Sequence, residues 1–264
     1  MLNTYMELVR IRFLMMLAYR VKYYSGIIIY SLNIGVYYFL WMAIYGENSS
    51  LNGTTPVQMA TYVAVAWMSR AFYFNNLDRE IAAEIRDGTV AIQLIRPYHY
   101  ILVKCFQGLG EGIFRLLLFS APGLFLVSLV FPIQLPTGVE DWGWFVLSLV
   151  FAFVINSQVN VITGLMAFFI MNNTGLIRGK RVLVDLLSGL LIPIHLFPEW
   201  AGKILAFLPF QGISYMPSTI LSRGLPTSEI IQFLGIQMLW LILLLIPIQL
   251  LWMTARRRLI VQGG

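Results

Sequence analysis

Five uncharged intervals, each long enough for the roughly 20 apolar residues that cross a bilayer, dominate this sequence and decide what solvent surrounds it. They run from Tyr23 to Gly46, Asn48 to Ser69, Leu116 to Val139, Trp142 to Ile177 and Ile230 to Ala255. Soluble domains carry about 25% charged residues, whereas this chain of 264 residues has 11%, with 59% hydrophobic. A core of this size buries only part of so many apolar side chains, so the rest face lipid or other helices. The reading is an all-α membrane protein. Arg10, Arg12, Arg20 and Lys22 lie in the first hydrophobic stretch and no short apolar core with a cleavage site follows, so the first span is read as a permanent anchor.

Two further stretches are ambiguous: Leu186 to Pro198 is short, and Ile204 to Ser222 is broken by Pro209, Gly212 and Pro217. Lys and Arg near span ends stay cytoplasmic, which decides the parity. One span in that region puts fourteen of the 18 basic residues inside, in clusters around Arg10 to Lys22, Arg79 to Lys104, Arg178 to Arg181 and Arg256 to Arg258. The outer loops then hold Glu47, Glu140, Asp141, Glu199 and Glu229 against Lys203 and Arg223. Six spans with both termini cytoplasmic are expected, at about 25–45, 57–76, 106–131, 143–171, 182–197 and 230–254 of one domain covering 1–264. Residues 3–22 read as an interfacial helix on the inner leaflet, with Thr4 and Glu7 at capping-box spacing. Residues 77–104 form a cytoplasmic loop. Residues 193–224 read as a re-entrant outer segment, because Pro193, Pro198, Pro209 and Pro217 would each remove a backbone hydrogen bond from a lipid-exposed helix. A kinked fifth span with a long loop is the alternative.

Several chemistries find no support. The single Cys105 forms no internal disulfide, and His99 and His195 have no metal-type ligand patterned beside them, so both read as interfacial hydrogen-bonding residues. Basic residues punctuate apolar runs rather than cluster on a soluble face, which leaves no nucleic-acid surface. The nearest approach to a phosphate-binding loop, Gly175 to Arg181, is one residue short and ends in Arg where a hydroxyl must hold magnesium. No Ser/His/Asp or paired-carboxylate set is visible. The chain reads as a non-enzyme with no cofactor of its own.

The densest charge outside the runs lies between Leu77 and Lys104. Asp78, Arg79, Glu80, Glu84, Arg86 and Asp87 crowd a short helix that Gly88 ends, and the apolar run from Thr89 to Ile95 stops at Arg96-Pro97. Such a loop either docks a cytoplasmic partner by its charged face or is a solvated connector. Asp87-Gly88-Thr89 followed by Leu94-Ile95-Arg96-Pro97 resembles the Gly-(Thr/Glu)-x-x-x-x-Leu-Leu-x-Pro turn of ABC-2 type permeases. The outer residues Gly189, Pro193, Phe197, Pro198, Trp200, Leu208, Pro209, Phe210, Pro217 and Gly224 resemble that superfamily's proline-rich region between spans five and six. Within it the chain looks most like the stand-alone bacterial permeases of the daunorubicin and multidrug exporter group.

The resemblance implies a membrane subunit of an ATP-binding cassette exporter in a bacterial cytoplasmic membrane, moving an amphiphilic drug, lipid or peptide-like cargo outward. Its partners would be two ATPase subunits, which hold the ATP and Mg2+, a second copy or a related permease, and membrane lipids. Glu84, Arg86, Asp87, Gly88, Thr89, Arg96 and Pro97 would couple to the ATPase. In the family the pathway lies at the dimer interface, which nominates Tyr62, Met68, Tyr73, Leu187, Leu191 and Ile194. Export of a lipid-linked polysaccharide, or a membrane-embedded enzyme or scaffold, are the alternatives.

Read from the residues themselves, Arg70, Glu111 and Arg115 are intramembrane charges, each costing about 2.5–3.5 kcal/mol near the bilayer centre. Glu111 and Arg115 can pair at i,i+4. Asn156, Asn160 and Thr163, and Tyr30, Asn33, Tyr37 and Trp41, form polar stripes suited to hydrogen bonds between helices or to a cavity wall.

Overall fold

Burial of one helix, Pro56–Tyr73, by the rest of the chain organises the bundle. A computed structural model describes residues 2–18, 21–170 and 172–256. Arg20, Arg257 and Arg258 of the expected inner basic clusters, and Met171 at the expected end of the fourth span, lie outside them. The helices are α1 (Leu2–Ala18), α2 (Val21–Tyr45), α3 (Pro56–Tyr73), α4 (Leu77–Arg86), α5 (Val90–Ile95), α6 (Tyr100–Arg115), α7 (Ala121–Ser128), α8 (Val139–Leu165), α9 (Thr174–Leu187), α10 (Glu199–Ala206), α11 (Tyr215–Arg223), α12 (Thr227–Leu243) and α13 (Leu245–Arg256). No strand occurs among the described residues.

Four helical stretches among the described residues are long and apolar enough to cross a membrane: Gly26–Tyr45, Tyr100–Ser128, Val139–Phe168 and Thr227–Ala255. Two of them are jointed by proline. A π-helical turn, Leu116–Ser120, joins α6 to α7 where Pro122 lacks an N–H. Pro247 sits just after the α12–α13 joint at Leu244 and cannot donate to the Leu243 carbonyl.

Helix α3 is more polar than these four because its surroundings are protein. It starts on a capping box, with Thr55 and Gln58 bonded reciprocally and Pro56 in the first turn. Met59 to Ala66 are all buried against α2, α8 and α11. The helix ends at Tyr73, three residues before the end of the expected 57–76 span.

Helix α6 is clamped from two sides, which its Gly108-Leu-Gly110-Glu-Gly112 run permits. A Cβ at Gly110 would lie 2.4 Å from the Val9 carbonyl oxygen of α1, and one at Gly112 would lie 2.4 Å from the Phe72 carbonyl oxygen of α3. Residues two apart point to nearly opposite sides of a helix, so α1 and α3 grip α6 backbone to backbone. Thr4 lies inside α1 rather than at a cap, and Glu7 pairs with Arg10 at 3.0 Å.

The chain from 174 to 224 differs most from expectation. Helix α9 begins eight residues before the expected 182–197 span and ends at Leu187, where Gly189 turns the chain at φ 84. Its charges were read as a boundary, yet Lys180 is satisfied by partners on α4 and α8 and so can sit within a helix. After Gly189 the chain reaches the α2–α3 loop, where Asn52 Nδ2 donates to the His195 carbonyl at 3.2 Å. It then returns: Tyr215 N–H donates to the Ser188 carbonyl at 2.8 Å, and α11 follows, buried between α3 and α8. Gln237 of α12 holds the turn by donating to the Gly212 carbonyl at 2.7 Å.

Candidate functional site: a charged helix behind an exposed turn

Helix α4 forms because its apolar residues lie on one face and its acids at the right end. Leu77, Ile81 and Ala82 are buried, and Asp78 and Glu80 in the first turn face the positive end of the helix dipole. Gly88, at φ 71, reverses the chain as a left-handed C-terminal residue, and Thr89 Oγ1 donates back to the Glu84 carbonyl at 3.4 Å. Val90 anchors α5 at 1% exposure, and Pro97 precedes the His99 cap of α6.

The acids of α4 face inward, where each meets a cation from a different helix. Lys180 of α9 donates to Asp78 Oδ2 at 2.8 Å and also to Asn160 of α8. Arg12 of α1 donates to Glu80 at 2.9 Å. Lys104 and the Tyr100 hydroxyl of α6 donate to Glu84 at 2.5 Å and 2.6 Å. Glu84 is therefore half-buried and engaged by two side chains of the bundle, whereas the other nominated loop residues are exposed, Arg86 keeping one 3.4 Å contact with Asn173 Oδ1. Arg86, Asp87, Gly88, Thr89, Arg96 and Pro97 are exposed, together with Ile92, Ile95 and Tyr98; Ile95 is 85% exposed.

The three charges expected within the membrane are each matched. Arg70, in the last turn of α3, makes two contacts with Asp185 of α9, one of them at 2.9 Å. Arg115 caps the end of α3, donating to the carbonyls of Ala71, at 3.0 Å, and Phe74. Its expected partner Glu111 is 3.9 Å away and also lies 3.7 Å from Arg12. A cavity of about 20 Å3, the size of one water, opens among Arg70, Tyr73, Asn75, Asn156, Lys180 and Asp185.

Sequence reasoning missed Asp185, Lys180 and Arg12 as partners. The sequence places Asp185 at the edge of an uncharged interval and Lys180 in a cytoplasmic basic loop, neither of which suggests a buried partner. The usable signal was that a charge inside a bundle demands an opposite charge.

Of the polar stripes, Asn156 Nδ2 donates to the Tyr73 carbonyl at 2.8 Å and Asn160 to Asn75 at 2.7 Å, whereas Thr163 bonds within its own helix. Tyr30 donates to the Ala64 carbonyl at 3.1 Å, Tyr37 packs on Trp67, Trp41 is buried, and Asn33 bonds within α2. The nominated pathway residues sit within this one chain's core. Tyr62 donates to the Gly189 carbonyl at 2.6 Å; Met68, Tyr73 and Ile194 are buried, and Leu187 and Leu191 half-buried. In the outer segment Pro193 and Pro209 are buried, Phe197 and Phe210 half-buried, and Pro198 and Trp200 exposed. The stretch Gly175 to Arg181 is helical, so its amides are not arranged as a phosphate cradle.

Residues 31–263 match a family model described as ABC-2 family transporter protein. No curated protein matches the chain.

Proposed function

Because this chain belongs to the ABC-2 family of transporter proteins, we propose that it is the membrane permease subunit of an ATP-driven exporter and that its α4–α5 turn receives the stroke of a separate ATPase. The family and the apolar helices make it a multi-pass membrane protein of an ABC transporter. The proposal adds six spans, the four apolar stretches together with α3 and α9. Both termini and the α4–α5 turn lie on the cytoplasmic side of a bacterial inner membrane, and 189–224 re-enters from outside. One chain supplies half a pathway, so a second permease copy and two ATPase subunits, holding ATP and Mg2+, complete the complex. The cargo is an amphiphile.

The observation that carries the coupling role is the two-sidedness of α4. Its exposed end presents Arg86 and Asp87, continued by Ile92, Ile95 and Arg96 of α5 and its cap, while the acids of α4 tie it to α1, α6 and α9. A push on the turn is thereby delivered to three helices at once. Gly88→Val places a β-branched residue at positive φ, at a local cost of about 1–3 kcal/mol, and Arg86→Glu reverses an exposed charge. Both variants are expected to insert normally yet to lose co-purification of the ATPase and cargo efflux, beside a Ser50→Ala control. Full attachment and full efflux in both would reduce the turn to a connector.

A further inference from the structure

A groove of about 390 Å3 lies between α6, α8 and α13, within the range of about 300–1,000 Å3 common for small-molecule sites. Leu102, Leu109, Phe153, Val154, Leu245 and Ile248 make its walls apolar. It opens sideways from the bundle, since Leu102, Val150 and Leu245 on its lining are 43%, 41% and 47% exposed. The helices that form it belong to the stretches able to cross a membrane, so the medium at its mouth is lipid.

A buried amide interrupts the apolar lining, alongside the Trp252 indole. Gln158 is 7% exposed; its Nε2 donates to the Leu241 carbonyl at 2.8 Å, while its Oε1 has no hydrogen-bond partner among the described residues. The Leu241 contact fixes the sense of the amide, because turning it over would set Oε1 against a carbonyl oxygen. The unmatched atom is therefore an acceptor, and a buried acceptor in an apolar wall calls for a donor. Gln249, which also lines the groove, adds a second amide, and His99, Cys105 and Trp252 are the other heteroatom-bearing side chains on a surface otherwise made of hydrocarbon.

We propose that this groove binds a bilayer-soluble molecule with a long apolar body and one hydroxyl, which donates to Gln158 Oε1 while the hydrocarbon lies along α6 and α13. A lone water would satisfy Oε1 but would leave the remaining apolar volume without a matching occupant. The site does not depend on the exporter reading, and its test needs no ATPase.

The probe is a twelve-carbon alcohol carrying a diazirine, photolysed with the purified full chain in lipid nanodiscs, with labelled peptides read by mass spectrometry. Label should concentrate on the segments from Leu102 to Leu109 and from Leu245 to Trp252. Unlabelled 1-dodecanol should compete on the order of fivefold better than its methyl ether, which keeps the twelve-carbon body and the oxygen but has no donor, the factor expected for one neutral hydrogen bond. Gln158→Leu should bring that ratio to about one while label stays in the groove, and Val150→Trp, filling the mouth, should remove the enrichment. If Gln158→Leu disturbs folding, the ratio on the unaltered chain and the Val150→Trp result decide alone. Equal competition by alcohol and ether overturns the role of Gln158, and label spread evenly over the exposed faces of α2 and α12 overturns the site.

Discussion

Asp78 is fully buried, and its charge is tolerable only because Lys180 reaches it from another helix. Removing one member of a buried pair strands the other, at about 3–5 kcal/mol, whereas replacing both by apolar groups is often neutral. Asp78→Asn should therefore lower the unfolding temperature in detergent markedly, while Asp78→Leu with Lys180→Met should restore much of it; equal losses in both would mean that the pair contributes no coupling. His195 makes a second residue-scale prediction. Burial, and then the positive charge of Arg223, push its pKa down to about 4, against about 6.5 when unfolded. The ring has Thr54 Oγ1 at 2.8 Å and packs on Tyr215. A depressed histidine binds fewer protons folded than unfolded between those values, so stability is full above about pH 6.5 and falls as pH drops toward 4. Limited proteolysis of the outer segment should speed up across that window, and His195→Gln should flatten the profile. A profile unchanged by the substitution would place the titration elsewhere.

At the scale of elements, contact between backbones matters more than side-chain burial where α1 crosses α6. A methyl at Gly110 meets the Val9 carbonyl at 2.4 Å, backbone that cannot swing aside, so Gly110→Ala must push α1 outward and stretch the Arg12 contacts with Glu80 and Glu111. Overpacking of this kind costs about 1–3 kcal/mol. Hydrogen exchange in α1 should rise in Gly110→Ala and stay unchanged in Gly179→Ala, whose site is open; equal exchange in both would show that the crossing is loose. The long apolar elements and the Gly88 turn were legible because each is written in contiguous residues: uncharged runs for α2, the 116–128 half of the α6–α7 stretch, α8 and α12–α13, and a helix-ending glycine for α4. The start of α9 was not, since charge was taken to mark a membrane edge, and here Asp78 and Asn160 cancel the cost of Lys180 from 102 and 20 positions away. Arg70 was visible as an intramembrane charge, but its partner Asp185 lies 115 positions on, a separation that no local pattern encodes. Glu84 had the composition of a docking residue and the geometry of an internal one.

For the whole molecule the open question is which way it sits in the membrane, and the structure offers positions where that can be asked cleanly. The α2–α3 loop, the α7–α8 loop and the start of α12 should share one side, and the α4–α5 turn the other, if α3 and α9 cross as proposed. Ser50, Thr137 and Thr227 are exposed in the first three places and Thr89 in the last, so single cysteines there, in a Cys105→Ser background, would report by access rather than by burial. The basic residues predict the sign: Arg79, Arg86, Arg96 and Lys104 surround the turn, whereas the α2–α3 loop carries Glu47 and the α7–α8 segment leads into Glu140 and Asp141. An impermeant maleimide applied to intact cells should modify Ser50→Cys, Thr137→Cys and Thr227→Cys, and should reach Thr89→Cys only after the membrane is opened. The informative failure is specific. If Thr137→Cys is labelled from outside while Ser50→Cys is not, α3 does not separate the α2–α3 loop from the α4–α5 turn in the proposed sense, and the six-span reading falls. The chain would still be a membrane-embedded member of its family. If Thr89→Cys is labelled from outside, the turn faces away from any cytoplasmic ATPase, and the coupling role falls with it.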